Sequence, residues 1–231
     1  DKCPLKYRLD KEDKVPERKS KVTLEFGSII HNTLDELHRA ENQSLDNLLK
    51  LLDKHWRSEA FEYLLREQEF KKQGQEILIA YHNWIQDNPP TVVATERWFE
   101  FVVEEINVRI TGKIDRIDEE DGPLAVVDYK TSKNKSSAKG SLQLALYTEA
   151  IKRDAVEGIS GSPGTASLHF LRHADDPLSS HRFTEADLMK QMKKVGKVSE
   201  GIRKGEFEPK PSDFHCTHCD YREFLCPAWE E

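Results

Sequence analysis

The apolar positions of this chain follow a helical period first and a strand period later. From Phe26 to about Glu41, Phe26, Ile30, Leu34 and Leu37 fall near i, i+4, i+8 and i+11, which predicts an amphipathic helix. Ser44 and Asp46 precede Leu48, Leu49, Leu51 and Leu52 in a second predicted helix. A third runs from about Phe61 to Trp84, where Asn88-Pro89-Pro90 follows as a stop. Ahead of these, Cys3 to Leu9 is short and amphipathic, and the charged stretch through Lys21 reads as loop.

Beyond Pro90 the period changes to two. Val92, Val93, Phe99, Phe101, Val103, Ile106, Val108 and Ile110 form β-branched or aromatic runs, with a hairpin turn expected at about Glu104–Asn107. The strand carrying Ile110 continues to Asp118, residues 119–123 turn, and Leu124 to Lys130 is a compact apolar strand ending in polar groups. Ser141 to about Arg153 is a predicted helix, and Gly158–Gly164 a connection to a strand over Ala166–Leu171. His181–Phe183 is a further candidate strand. Thr184 with Asp187 looks like a helix start that carries on to about Lys204. This order predicts one mixed α/β domain: a central sheet flanked by helices, with a helical section at 26–88 and a core at 91–204.

Composition supports a folded chain, with 37% hydrophobic residues in periodic blocks over 231 residues. The formal charge of -7 argues weakly against a phosphate-bearing partner, because a carboxylate metal site is negative before its cation arrives and a ligand meets only the local field. Lysines do cluster, at Lys130, Lys133, Lys135 and Lys139 and again at Lys190, Lys194 and Lys197, either as solvated faces or as phosphate contacts. No apolar run approaches the roughly 20 residues of a membrane span and no signal peptide opens the chain, so no membrane association and a cytoplasmic location are expected. A start at Asp1 suggests a segment of a longer polypeptide.

Asp115 and Asp128 fall on adjacent predicted strands, about 4.8 Å apart if paired. Two carboxylates so close call for a cation, and hard oxygen donors favour Mg²⁺ or Mn²⁺. Lys130, two positions after Asp128, projects from the same strand face, where an ammonium can orient or deprotonate a water or stabilise charge on a phosphate. The same spacing also fits a strand-end salt bridge.

The four cysteines stand at Cys3 and at Cys216, Cys219 and Cys226. The C-x-x-C pair and the soft donors suit an iron–sulfur cluster or Zn²⁺, with His215 and His218 as substitutes in a zinc site; two disulfides are formally open.

Gly112-Lys113-Ile114-Asp115-Arg116-Ile117-Asp118, then Val126-Val127-Asp128-Tyr129-Lys130-Thr131-Ser132, then Gln143-Leu144-Ala145-Leu146-Tyr147, resemble the three successive motifs of RecB-like PD-(D/E)XK nucleases. That resemblance implies a restriction-endonuclease-like fold over the whole of 1–231. It assigns Asp115, Asp128 and the Tyr129 main-chain carbonyl to the metal, Lys130 to catalysis, and Gln143 and Tyr147 to a helix face turned toward the site or the DNA. Gly27-Ser28-Ile29-Ile30-His31 matches the family's G-x-x-x-H helix, which implies His31 as a third protein ligand and Gly27 as an opening beside it. His38 has no motif role and is left at the surface; Glu96 is either a supporting carboxylate or an exposed one.

Cys3-Pro4-Leu5-Lys6-Tyr7 before the core, with three cysteines after it, resembles the AddB-type arrangement and implies a [4Fe–4S] cluster stapling the chain ends at 3 and 216–226. The Cys3 segment and the Phe26–His31 helix also resemble the nuclease module of UvrD/Rep-type helicases. The resemblance implies a metal-dependent deoxyribonuclease, in exonuclease mode, acting on single-stranded DNA or DNA ends in repair or recombination, with a helicase in the same polypeptide or complex. The alternative is a non-catalytic DNA-binding platform stabilised by an iron–sulfur or zinc site. With no Gly-x-x-x-x-Gly-Lys-Ser/Thr sequence, no ATPase activity is expected within the chain.

Overall fold

The computed structural model describes residues 3–17, 22–217 and 219–229; His218 lies outside them. Asp1–Lys21 with Met192–Glu231 form one compact unit, and Val22–Gln191 form the other.

The chain opens with α1 (Pro4–Tyr7), which runs on as a wider π-helical turn over Arg8–Glu12. Pro4 at the first helical position loses no hydrogen bond, since that N–H has no partner inside a helix.

In the larger unit the helical stripe becomes α2 (Val22–Arg39), followed by α3 (Leu45–His55) and α4 (Leu64–Asp87). Ser44 caps α3 by accepting from Asn47 N–H. Phe26, Ile30, Leu34 and Leu37 of α2 are buried against Leu48 and Leu52 of α3 and Leu78 and Tyr81 of α4, and Val127 and Tyr129 of the sheet join the same core. Gly74 of α4 lets the helices close up, because a Cβ there would meet Phe26, Ile30 and Leu52 at 3.4–3.6 Å.

The sheet has five strands in the order β1-β2-β3-β4-β5. β1 (Val92–Val103) and β2 (Val108–Glu119) form a long antiparallel hairpin through a 3₁₀ turn and a left-handed Asn107. The expected hairpin and its turn at about Glu104–Asn107 are both present. The alternation of β1 slips because Ala94 and Thr95 are both buried and Glu96 takes φ +48°. Gly112, first residue of the Gly-Lys-Ile-Asp run, faces Phe99, whose ring would lie 2.8 Å from any added Cβ.

β3 (Leu124–Lys130) pairs antiparallel with β2 and parallel with β4 (Pro163–Phe170). The parallel pairing requires a crossover, supplied by α5 (Leu142–Lys152), whose start is capped by Ser141. Leu124 through Tyr129 are all buried, as expected of a central strand covered on both faces. The last strand is β5 (Leu178–His181), earlier than the expected His181–Phe183, because it reverses at Pro177 to pair with Ala166–His169. α6 (Glu185–Lys204) opens with a reciprocal capping box: Thr184 Oγ1 accepts from Asp187 N–H, and Asp187 Oδ2 accepts from Thr184 N–H. α7 (Asp213–Cys216) is a single turn capped by Ser212. No helix among the described residues is long and apolar enough to cross a membrane.

Candidate active site and cysteine centre

The site lies where β2 and β3 part. Their ladder runs from Glu119–Leu124 to Arg116–Val127. One residue further, Asp115 Oδ2 accepts from the Tyr129 N–H at 2.8 Å, a side chain doing what a strand carbonyl would otherwise do. A buried amide is satisfied and the strand ends are left open.

His31 on α2 reaches this opening. Its Nε2–H donates to the Tyr129 carbonyl at 3.1 Å, and its Nδ1 stands 3.3 Å from Asp115 Oδ2. Glu96 completes the group: ligand atoms of His31, Glu96 and Asp115 all lie within 4.8 Å of one another. The left-handed turn at Glu96 sits where β1 crosses from Thr95, opposite Arg116, to Arg97, opposite Ile114, so the glutamate comes level with Asp115. Lys113 holds the other side of the Glu96 carboxylate at 3.0 Å. Gly27, expected to leave open surface beside His31, instead packs toward Thr131, whose Oγ1 would sit 3.6 Å from an added Cβ.

Asp128 is 1% exposed at its side chain and is paired with Lys130, Nζ to Oδ2 2.5 Å. Lys130 also donates to Gln143 Oε1 at 2.9 Å, and Gln143 Nε2 donates to the Tyr147 hydroxyl at 2.7 Å. Thus Asp128, Lys130, Gln143 and Tyr147 form one chain of contacts, with α5 supplying the last two. Burial, and then the Asp115 carboxylate, push the Asp128 carboxyl up to about 6 against the pull of Lys130 and His31. Burial lowers the affinity of His31 for a proton, but the hydrogen bond to Asp115 and the charges of Asp115, Asp128 and Glu96 outweigh it and raise its pKa. Tyr147 is also raised, by burial and then by Asp115 and Asp128. Beside burial, the Asp115 carboxylate raises all three groups, and a cation would offset that buried negative charge. The carboxylates, imidazole and carbonyl are the hard and borderline donors that suit Mg²⁺ or Mn²⁺.

Strand alternation sends the neighbours of these residues to the opposite face. There the buried Arg116 donates to Asp118 Oδ2 at 2.8 and 3.1 Å and to the hydroxyls of Tyr81 at 2.6 Å and Tyr129 at 2.8 Å. His38 joins them through the Tyr81 hydroxyl at 2.6 Å, which corrects its assignment to the surface: it lies on the inward face of α2. His169 of β4 packs on the rings of Tyr81 and Tyr129. The network holds the side chain of Tyr129, whose backbone N–H and carbonyl face Asp115 and His31. Sequence analysis left Glu96 open between a supporting and an exposed carboxylate, whereas here it joins the group that could hold a cation, and it missed Arg116 as a support. The Arg next to Asp115 was the available signal for the second.

In the terminal unit Cys3, Cys216, Cys219 and Cys226 are all free thiols that line one cavity of ≈ 460 Å³. Backbone N–H groups point at two of the sulfurs, Lys210 to Cys3 Sγ at 3.4 Å and Ser212 to Cys216 Sγ at 3.3 Å. Such donors stabilise thiolate sulfur, the form that would bind a metal.

The family model of the PD-(D/E)XK nuclease superfamily matches residues 1–227. A component of the ATP-dependent helicase/deoxyribonuclease of Streptococcus agalactiae is 43% identical over 75 residues, 30% of this chain and 7% of that relative. The match therefore spans a small part of a much longer protein. The Gene 69 protein of Mycobacterium phage D29 is 24% identical over 99% of this chain and 93% of its own length. A crystal structure of a candidate exonuclease from Eubacterium rectale shares the fold, with TM-score 0.52 and 16% identity over 92% of this chain and 80% of that one. The chain belongs to the PD-(D/E)XK nuclease superfamily, in the mixed-sheet, helix-flanked form of its restriction-endonuclease-like fold.

Proposed function

We propose that this chain is a Mg²⁺- or Mn²⁺-dependent deoxyribonuclease that hydrolyses phosphodiester bonds of single-stranded DNA or DNA ends, in exonuclease mode, within a repair or recombination system that includes a helicase. The observation that carries the reading is the meeting, at one strand fork, of the His31–Glu96–Asp115 group with the Asp128–Lys130–Gln143–Tyr147 chain. His31, Asp115, Asp128 and the Tyr129 carbonyl would hold the cation, with Glu96 as a further carboxylate. When bound, the cation supplies Lewis-acid charge to the phosphate under attack.

The protein side chains do the rest. Lys130 directs its ammonium at the developing charge or at the attacking water. Gln143 fixes that ammonium through its carbonyl oxygen, and Tyr147 fixes the Gln143 amide. The helicase association rests on the likeness to the streptococcal helicase/deoxyribonuclease component.

In the terminal unit the four thiols would hold a [4Fe–4S] cluster. The Cys3-Pro4-x-x-Tyr7 setting supports the cluster over zinc. Its role is structural, joining residues near both chain ends by bonds the unfolded chain cannot assemble.

Anaerobic purification with iron, sulfide and zinc counts, followed by incubation with labelled single-stranded DNA and Mn²⁺, tests both parts. Cleavage abolished in Asp128→Ala and iron with matching sulfide are expected. Cleavage that persists in that variant refutes the site, and stoichiometric zinc without iron refutes the cluster.

A further inference from the structure

The terminal unit carries a second cleft, of ≈ 420 Å³, walled by Tyr7, Val198, Ile202 and Phe207 and rimmed by Lys194 and Lys197. The end of α6 builds it. Gly205, at φ +69°, donates its N–H to the Ile202 carbonyl, and Glu206 donates to the Gly201 carbonyl, a Schellman turn that folds the chain back after the helix. Phe207 then lies within 18° of parallel to Tyr7, ring centroids 6.4 Å apart, with the Arg8 guanidinium 5.9 Å from its centre.

Lys194 and Lys197 are exposed and have no ion-pair partner among the described residues, and Lys210 adds a third cation to the lining. Glu206 also lines the cleft, with its carboxyl beside Gly201. Aromatic and apolar walls under unpaired ammonium groups, on a chain of net charge -7, match an unstacked base flanked by phosphates.

We propose that this cleft binds single-stranded nucleic acid, with bases against Tyr7 and Phe207 and phosphates on Lys194, Lys197 and Lys210; the choice of ligand rests on the nuclease reading above. The test is fluorescence anisotropy of labelled oligo(dT) with the full chain, purified anaerobically and held in EDTA so that no strand is cut. Each phosphate contact on a single strand contributes about 0.7 to the slope of log affinity against log salt, so Lys194→Ala/Lys197→Ala should lower that slope by about 1.4 and weaken binding about tenfold or more. Phe207→Leu should keep the slope and lose the parent protein's preference for oligo(dT) over an abasic strand of equal length. An unchanged slope in the double variant with unchanged discrimination in Phe207→Leu overturns the cleft and leaves the nuclease reading standing. A parent protein that neither binds nor cuts DNA overturns that reading itself.

Discussion

The Tyr129 N–H donates to Asp115 Oδ2 at 2.8 Å, so the carboxylate that faces His31 also closes the backbone of β3 where its ladder with β2 ends. Structure and chemistry share one side chain there, and substitutions can separate them. Asp115→Asn keeps an acceptor for the amide and should abolish cleavage with little loss of stability. Asp115→Ala leaves that buried amide unsatisfied, at a cost of about 1–3 kcal/mol. Urea unfolding and a nuclease assay on both variants check the split; equal stability of the two would contradict it.

Gln143 holds Lys130 at 2.9 Å and, on the proposed reading, would act through its ammonium. Lys130→Ala should lower the rate by about 10²–10⁴, the usual size of a general acid–base contribution. Gln143→Ala should lower it less, and Gln143→Glu should shift the pH–rate profile, because a carboxylate beside the ammonium favours its charged form. A rate and pH profile unchanged by both Gln143 substitutions would remove Gln143 from the site.

Arg116 is a positioning residue on the far face of the sheet. Arg116→Met strands the Asp118 carboxylate and two tyrosine hydroxyls in the core, and should destabilise the fold by about 3–5 kcal/mol. Replacing Arg116 and Asp118 together by apolar residues should recover much of that loss. The comparison needs only unfolding midpoints of the single and double variants.

His38 and His169 are both held neutral, down to about 3, by burial and then by the Arg116 charge. Unfolded, each takes up a proton near its ordinary value of about 6.5, so below that pH the unfolded state binds more protons than the folded state. Their contribution is complete above about pH 6.5 and is lost as pH falls toward about 3, with a slope of up to about 1.4 kcal/mol per pH unit for each. Unfolding free energies measured between about pH 7 and about pH 5 should show a shallower decline in His38→Gln than in the parent. Parallel curves would show that His38 does not titrate on unfolding.

The parts of the molecule legible in the sequence are those fixed by short-range pattern. The α2 stripe, the apolar β3 and the Asp-Tyr-Lys end each follow from a period or from neighbours a few residues apart, and the Thr184–Asp187 capping box followed from a spacing of three. Glu96 was harder, since its place depends on a left-handed φ in mid-strand and on pairing with β2. Arg116 and His38 were hidden because a charged or titratable side chain at those positions reads as exposed. Their burial rests on tyrosines from α4 and β3, distant in sequence.

We propose that Asp128 and Lys130 act together in metal-dependent hydrolysis of DNA. The most direct test is release of labelled nucleotides from single-stranded DNA, with Mn²⁺ or EDTA, by the parent chain and by Asp128→Ala and Lys130→Ala. Cleavage by the parent in Mn²⁺ alone, lost in both folded variants, is the predicted result. Cleavage in EDTA, or undiminished cleavage in either variant, would contradict it.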